Sequence, residues 1–93
     1  MVIGVARVEI HFPESGSLKS KRHFLKRIKD RIQNRFNVSV AEVDHNDLWQ
    51  RTTLGVAVVA NEQQFANQVL SQVADFISRE PGIQLLDYSM EYY

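Results

Sequence analysis

The sequence predicts an α+β domain of the ferredoxin-like kind, two helices packed on one face of a four-stranded antiparallel sheet. Three observations predict it. Apolar residues alternate in β-rich segments, they recur at helical spacing in two longer ones, and the segments follow the order β-α-β-β-α-β. The 93 residues suit one two-layer core and are too few for two, so residues 1–93 read as a single domain. No linker, repeat or low-complexity stretch interrupts them.

Val2–Phe12 alternates strictly. Gly4, Ala6, Val8, Ile10 and Phe12 share the prospective core face, and Arg7, Glu9 and His11 share the other. Pro13-Glu-Ser-Gly16 is a turn signal. From Leu18 the period becomes helical, with Leu18, Leu25, Ile28, Ile32 and Phe36 forming one stripe and Ser17 or Ser20 available as the N-cap. The helix is expected to end at Asn37, and Val38–Val43 is β-branched and strand-like. Asp44-His-Asn-Asp47 reads as an Asx-rich turn.

Thr52–Ala60 is the third strand, with Leu54, Val56 and Val58 on one face and Thr53, Gly55 and Ala57 on the other. Asn61-Glu-Gln-Gln64 has the form of a capping box, Asn at the cap and Gln three residues on. The following helix carries Phe65, Val69, Val73, Phe76 and Ile77 on its apolar stripe, and Pro81-Gly82 stops it. In the last strand Leu86, Tyr88, Met90 and Tyr92 alternate with Asp87, Ser89 and Glu91.

Charge is the most informative feature. The formal net charge is zero, from 11 basic and 11 acidic residues. Yet Lys19, Lys21, Arg22, Lys26, Arg27, Lys29, Arg31 and Arg35 all lie in the first helix with Asp30 as the one acid among them. The remainder of the chain is correspondingly acidic, a bipolar arrangement that bears on partners rather than on fold. At about 100° per residue, Lys19, Arg22, Lys26 and Lys29 line one edge of the apolar stripe, and Arg27, Arg31 and Arg35 the other. Lys19, Lys21 and Arg22 also crowd the first turn, where the helix dipole disfavours cations and favours a bound phosphate. The bland alternative is a solubilising face whose lysine stems cover the core edge.

Other signals are weaker. With no cysteine, neither disulfides nor thiolate metal sites arise. Asp44, His45 and Asp47 have the residue types of metal ligands or of an acid–base pair, but their spacing matches no defined site, so no catalytic residue, metal or cofactor is assigned. Trp49 and Arg51 are candidate contact residues, set against a structural tryptophan clamping the hairpin. The open sheet face lacks the central aromatics on which RNA-recognition sheets stack bases, and it carries Glu9, Asp87 and Glu91. It also carries Ile3, Val5, Gly55, Ala57 and Val59, a small apolar patch suited to a homodimer. No segment is long and apolar enough to span a bilayer, and the N-terminus reads as a strand rather than a signal peptide, so a cytoplasmic protein without membrane attachment is expected.

Gly16-Ser-Leu-Lys-Ser-Lys-Arg22, Asn34-Arg-Phe-Asn-Val-Ser-Val-Ala-Glu-Val-Asp44, Leu48-Trp-Gln-Arg51 and Leu54-Gly-Val-Ala-Val-Val59 together resemble the YlxP-like proteins, the DUF503 family. The resemblance covers essentially the whole chain. It implies a ferredoxin-like fold and a bacterial cytosolic protein, and it implies no activity, since the family is one of unknown function. Genes of the family often neighbour those for translation initiation and ribosome maturation, which makes the ribosome a candidate partner.

The leading expectation is a non-enzymatic protein that contacts structured RNA, with ribosomal RNA as a candidate, through the first helix. The runner-up is a scaffold or dimeric interaction module whose basic helix docks an acidic protein. A small enzyme using the Asp44–Asp47 loop stands third.

Overall fold

The computed structural model describes all 93 residues, Met1–Tyr93. The elements are β1 (Val2–His11), α1 (Leu18–Arg35), β2 (Ser39–Asp44), β3 (Arg51–Ala60), α2 (Gln63–Ser78) and β4 (Gln84–Tyr92). The sheet order is β2-β3-β1-β4 with every pairing antiparallel, and both helices cover one face. This is the ferredoxin-like arrangement expected from the element order.

The alternation in β1 sets the layers. Ala6, Val8, Ile10 and Phe12 are buried beneath the helices with Leu54, Val56 and Val58 of β3, while Arg7 faces the other way and is exposed. From α1 the core receives Leu25, Ile28 and Ile32, and from α2 Ala66, Leu70, Val73 and Ile77. Each fully buried Ile or Leu contributes roughly 2–3 kcal/mol of transfer free energy. Phe12 stacks on Phe24 with ring centroids 5.7 Å apart, closing the core at the start of α1.

Helix boundaries follow local chemistry. Ser17 caps α1, its Oγ accepting from the Ser20 amide at 3.0 Å, so Ser17 rather than Ser20 is the cap. Helix α1 ends at Arg35, two residues earlier than expected, because Phe36 turns to extended backbone and packs its ring edge-on to Phe76 at 5.8 Å. The expected capping box of α2 does not form: the cap is Glu62, with no side-chain bond to the first turn. The stripe of α2 is also rotated from the expected one. Ala66, Leu70 and Ala74 take the inner positions and Phe65 is exposed. Gly4 explains this, since a Cβ there would lie 3.1 Å from both Ala66 Cβ and Leu70 Cδ1. The helix approaches the sheet closely at small residues, and the bulky Phe65 turns outward.

Two irregularities shift the edge strands. Glu9 pairs with Asp87 but Ile10 pairs with Leu85, so Leu86 is an extra residue. Leu85 therefore packs on the core and Leu86 is exposed, the reverse of the expected phase at that end of β4. In β2, Glu42 pairs with Leu54 and Asp44 with Thr53, leaving Val43 as the extra residue. Val43 lies over Gly55 on the open face, its Cγ1 3.0 Å from where a Cβ at Gly55 would sit. Glu42 is thereby kept on the helix side of the sheet, which decides the fate of one basic residue.

Candidate nucleic-acid interface

The eight cations of α1 do not form one field. Lys21 is 2% exposed. Its Nζ lies 2.9 Å from Glu42 Oε2 and donates to the His45 carbonyl oxygen at 2.6 Å, while Thr52 Oγ1 donates to the same Glu42 oxygen. Lys21 is thus a structural cation joining α1 to the β2–β3 hairpin, and its expected role in anion binding is corrected. The spacing held the signal: Lys21 stands four, seven and eleven residues before Leu25, Ile28 and Ile32, on the buried stripe itself.

Arg31 and Arg35 face α2. Arg31 pairs with the largely buried Glu80 at 3.2 Å, and the Arg35 guanidinium lies 5.4 Å from the centroid of Phe76 and 5.9 Å from that of Phe36. With Phe36, Gln72, Asp75, Phe76, Arg79 and Glu80, Arg35 lines a shallow cleft of about 500 Å³ between the two helices. Lys26 pairs with Asp30 at 2.7 Å in an exposed i,i+4 bridge, worth too little to remove Lys26 from the surface field.

Lys19, Arg22, Arg27 and Lys29 have no carboxylate partner. The first three are exposed and Lys29 is partly so. Helix α1 therefore presents four free cations, with Lys26 beside them. No acid stands in its first turn.

The loop between β2 and β3 is fixed beside the start of this helix. Gln50 Nε2 donates to the Ser15 carbonyl oxygen at 3.1 Å, and the Phe12 amide donates to the Gln50 carbonyl oxygen at 2.8 Å. On that loop Trp49 is 56% and Leu48 45% exposed. Trp49 is therefore no clamp on the hairpin; it is an indole exposed on a loop that Gln50 ties to the residues preceding α1. Arg51, by contrast, turns to the open face, 3.3 Å from Glu9 Oε2.

On the open face a polar network surrounds Glu9. Thr53 Oγ1 donates to Glu9 at 2.6 Å, which leaves the threonine oxygen to accept from His45 Nδ1 at 2.8 Å and makes Nδ1 the protonated ring nitrogen. Burial alone would raise the Glu9 carboxyl, but the bonds from Thr53 and Arg51, with the charges of Arg7 and His45, hold it below the usual range. Asp44 accepts from the His45 amide at 2.7 Å and pairs with Arg7 at 3.2 Å. The amide bond first, then the charges of His45 and Arg7, lower its carboxyl as well. His45 adopts φ 62°, a left-handed conformation that costs energy in a non-glycine residue. Its backbone thus reaches Lys21 on the helix side while its ring reaches Thr53 on the other. Asp47 stays exposed, so the three residues of the loop are not drawn to a common centre.

Comparison with known proteins finds a matching family, a sequence relative and a solved structure of like fold. The family described as "Protein of unknown function (DUF503)" matches residues 3–90. The "Uncharacterized protein YlxP" of Bacillus subtilis (strain 168) is 43% identical over 83 residues, covering 89% of this chain and 90% of that protein. The solution NMR structure of a de novo designed protein with ferredoxin fold superposes with a TM-score of 0.59, at 14% identity, over 98% of this chain and 86% of the design. That last likeness concerns the fold alone.

Proposed function

The chain belongs to the DUF503 family of unknown function, and from that premise we propose that it is a non-enzymatic protein of the bacterial cytoplasm that binds structured RNA, such as ribosomal RNA, through the outer face of α1. The observation that carries this reading is the set of four cations, Lys19, Arg22, Arg27 and Lys29, left without acidic partners although the chain has as many acids as bases. Concentrated like charge on one helix is unfavourable by itself, and phosphates relieve it. Trp49 and Leu48, exposed on the loop that Gln50 ties to Ser15, add a surface on which an unpaired base stacks.

Contacts of this kind position a protein on RNA without reading sequence. The binding is therefore strongly dependent on salt and weakly dependent on base identity. Titration of a labelled RNA hairpin by fluorescence anisotropy tests this. Three to four phosphate contacts give a log–log salt slope of magnitude roughly 3–4. Failure to bind hairpins and ribosomal RNA at about 50 mM salt, with capture of an acidic protein that survives ribonuclease, overturns the reading.

A further inference from the structure

The strand register divides the open sheet face into two halves. Toward one end lie Ile3, Val59 and Tyr93, then Val5 and Ala57, with Val43 over Gly55. Toward the other lie Glu9, His11, Asp44, His45, Arg51 and Thr53. In the apolar half Tyr93 is 71%, Val59 66% and Val43 52% exposed. No helix or loop covers it.

We propose that this face pairs with the same face of a second copy of the chain, apolar half against apolar half, with the polar half forming the rim. Three features select a second copy as the occupant. First, the charges among these residues are already matched within one chain: Arg7 by Glu9 and Asp44, and Arg51 by Glu9. Around β1 and β3 the face therefore projects little field to recruit a strongly charged partner. The unmatched acids, Asp87 and Glu91, both stand on the edge strand β4. A two-fold axis along the strands sets β4 of one copy over β2 of the other and keeps those acids apart.

Second, the basic helices lie on the opposite side of the sheet. Pairing through the open faces points them outward, where their repulsion is least. Third, the area is of the right order. At ~4.8 Å between strands and ~3.3 Å per residue, the face covers about 500 Å² in plan. A standard interface takes ~800 Å² of accessible, corrugated surface from each partner. The small side chains of Ala41 and Ala57, beside Val43 where it covers Gly55, leave room for a second sheet to approach to ~10 Å.

The pairing is independent of the RNA reading, and the experiment keeps the two apart. Full-length protein treated with ribonuclease is examined by sedimentation equilibrium from about 5 µM to about 500 µM, at low salt and at about 1 M salt. A reversible dimer is expected that persists at high salt, because its centre is apolar. Val59→Asp, on an exposed position where folding is not at stake, shifts the dissociation constant upward at least tenfold. Phe65→Asp, an equally exposed apolar site on α2, leaves it unchanged. A chain that stays monomeric throughout overturns the proposal. So does a dimer that dissolves at high salt, or one that is indifferent to Val59→Asp.

Discussion

Lys21 Nζ lies 2.9 Å from Glu42 Oε2, inside the structure, with the lysine side chain 2% and the glutamate 14% exposed. This pair converts one member of an apparently uniform basic helix into a bolt between α1 and the β2–β3 hairpin. Removing one partner of a buried pair strands the other's charge and costs about 3–5 kcal/mol; removing both is far milder. Lys21→Ala is therefore expected to lower stability by about 3 kcal/mol in chemical denaturation. Lys21→Met combined with Glu42→Leu recovers most of that loss, and a double variant as unstable as the single one would mean that the pair is not the cause.

Stability also depends on pH through Glu9. Its carboxyl is held below its ordinary value, so folding favours the ionised form. That contribution is complete above the unfolded value near ~4.3 and is lost as pH falls through it toward the lower folded value. The parent chain should lose stability as pH falls below about 5. Glu9→Gln, at a cost of about 1–2 kcal/mol near pH 7, should flatten that slope. Thermal melts between pH 7 and pH 3 on both proteins read the difference directly.

Gly4 is where α2 comes closest to the sheet. A Cβ there would meet Ala66 Cβ and Leu70 Cδ1 at 3.1 Å and Val58 Cγ1 at 3.3 Å. Gly4→Val should cost about 2–3 kcal/mol by pushing the helix away. Pairing it with Ala66→Gly, which removes the least yielding neighbour, should return part of the loss. Equilibrium unfolding of the three variants measures both effects.

Most of the fold was legible in the sequence because it rests on periods. Val2–Phe12 alternates without interruption, and a one-residue slip would have buried Arg7 and Glu9, so its phase was determined. The outward turn of Leu86 is not legible, because a bulge leaves no mark in an alternating pattern; the extra residue shows only in the pairing with β1. The α2 stripe is not legible, because bulky Phe65 stands at core spacing, whereas the close approach at Gly4 selects Ala66. Within the candidate interface, clustering of charge was visible but its partition was not. Arg31 and Arg35 meet Glu80 and Phe76 from the far end of the chain, contacts that only the packed fold creates. Lys21 is different, since its spacing from Leu25 and Ile32 already placed it on the inner stripe.

In the proposed function, phosphate binding belongs to the free cations of α1. It is tested most directly by comparing RNA affinity and its salt dependence in the parent chain and in a variant carrying Lys19→Gln, Arg22→Gln, Arg27→Gln and Lys29→Gln. Glutamine keeps the helix propensity, and Lys21 is left in place, so the variant should fold with unchanged or slightly raised stability. The account predicts a loss of about 100-fold in affinity near 100 mM salt, and a fall of the log–log slope from roughly 3–4 to below about 1. Arg79→Gln, an exposed cation already paired with Asp75, should change neither quantity. A quadruple variant that binds hairpin RNA as tightly as its parent, with the same slope, would contradict the account.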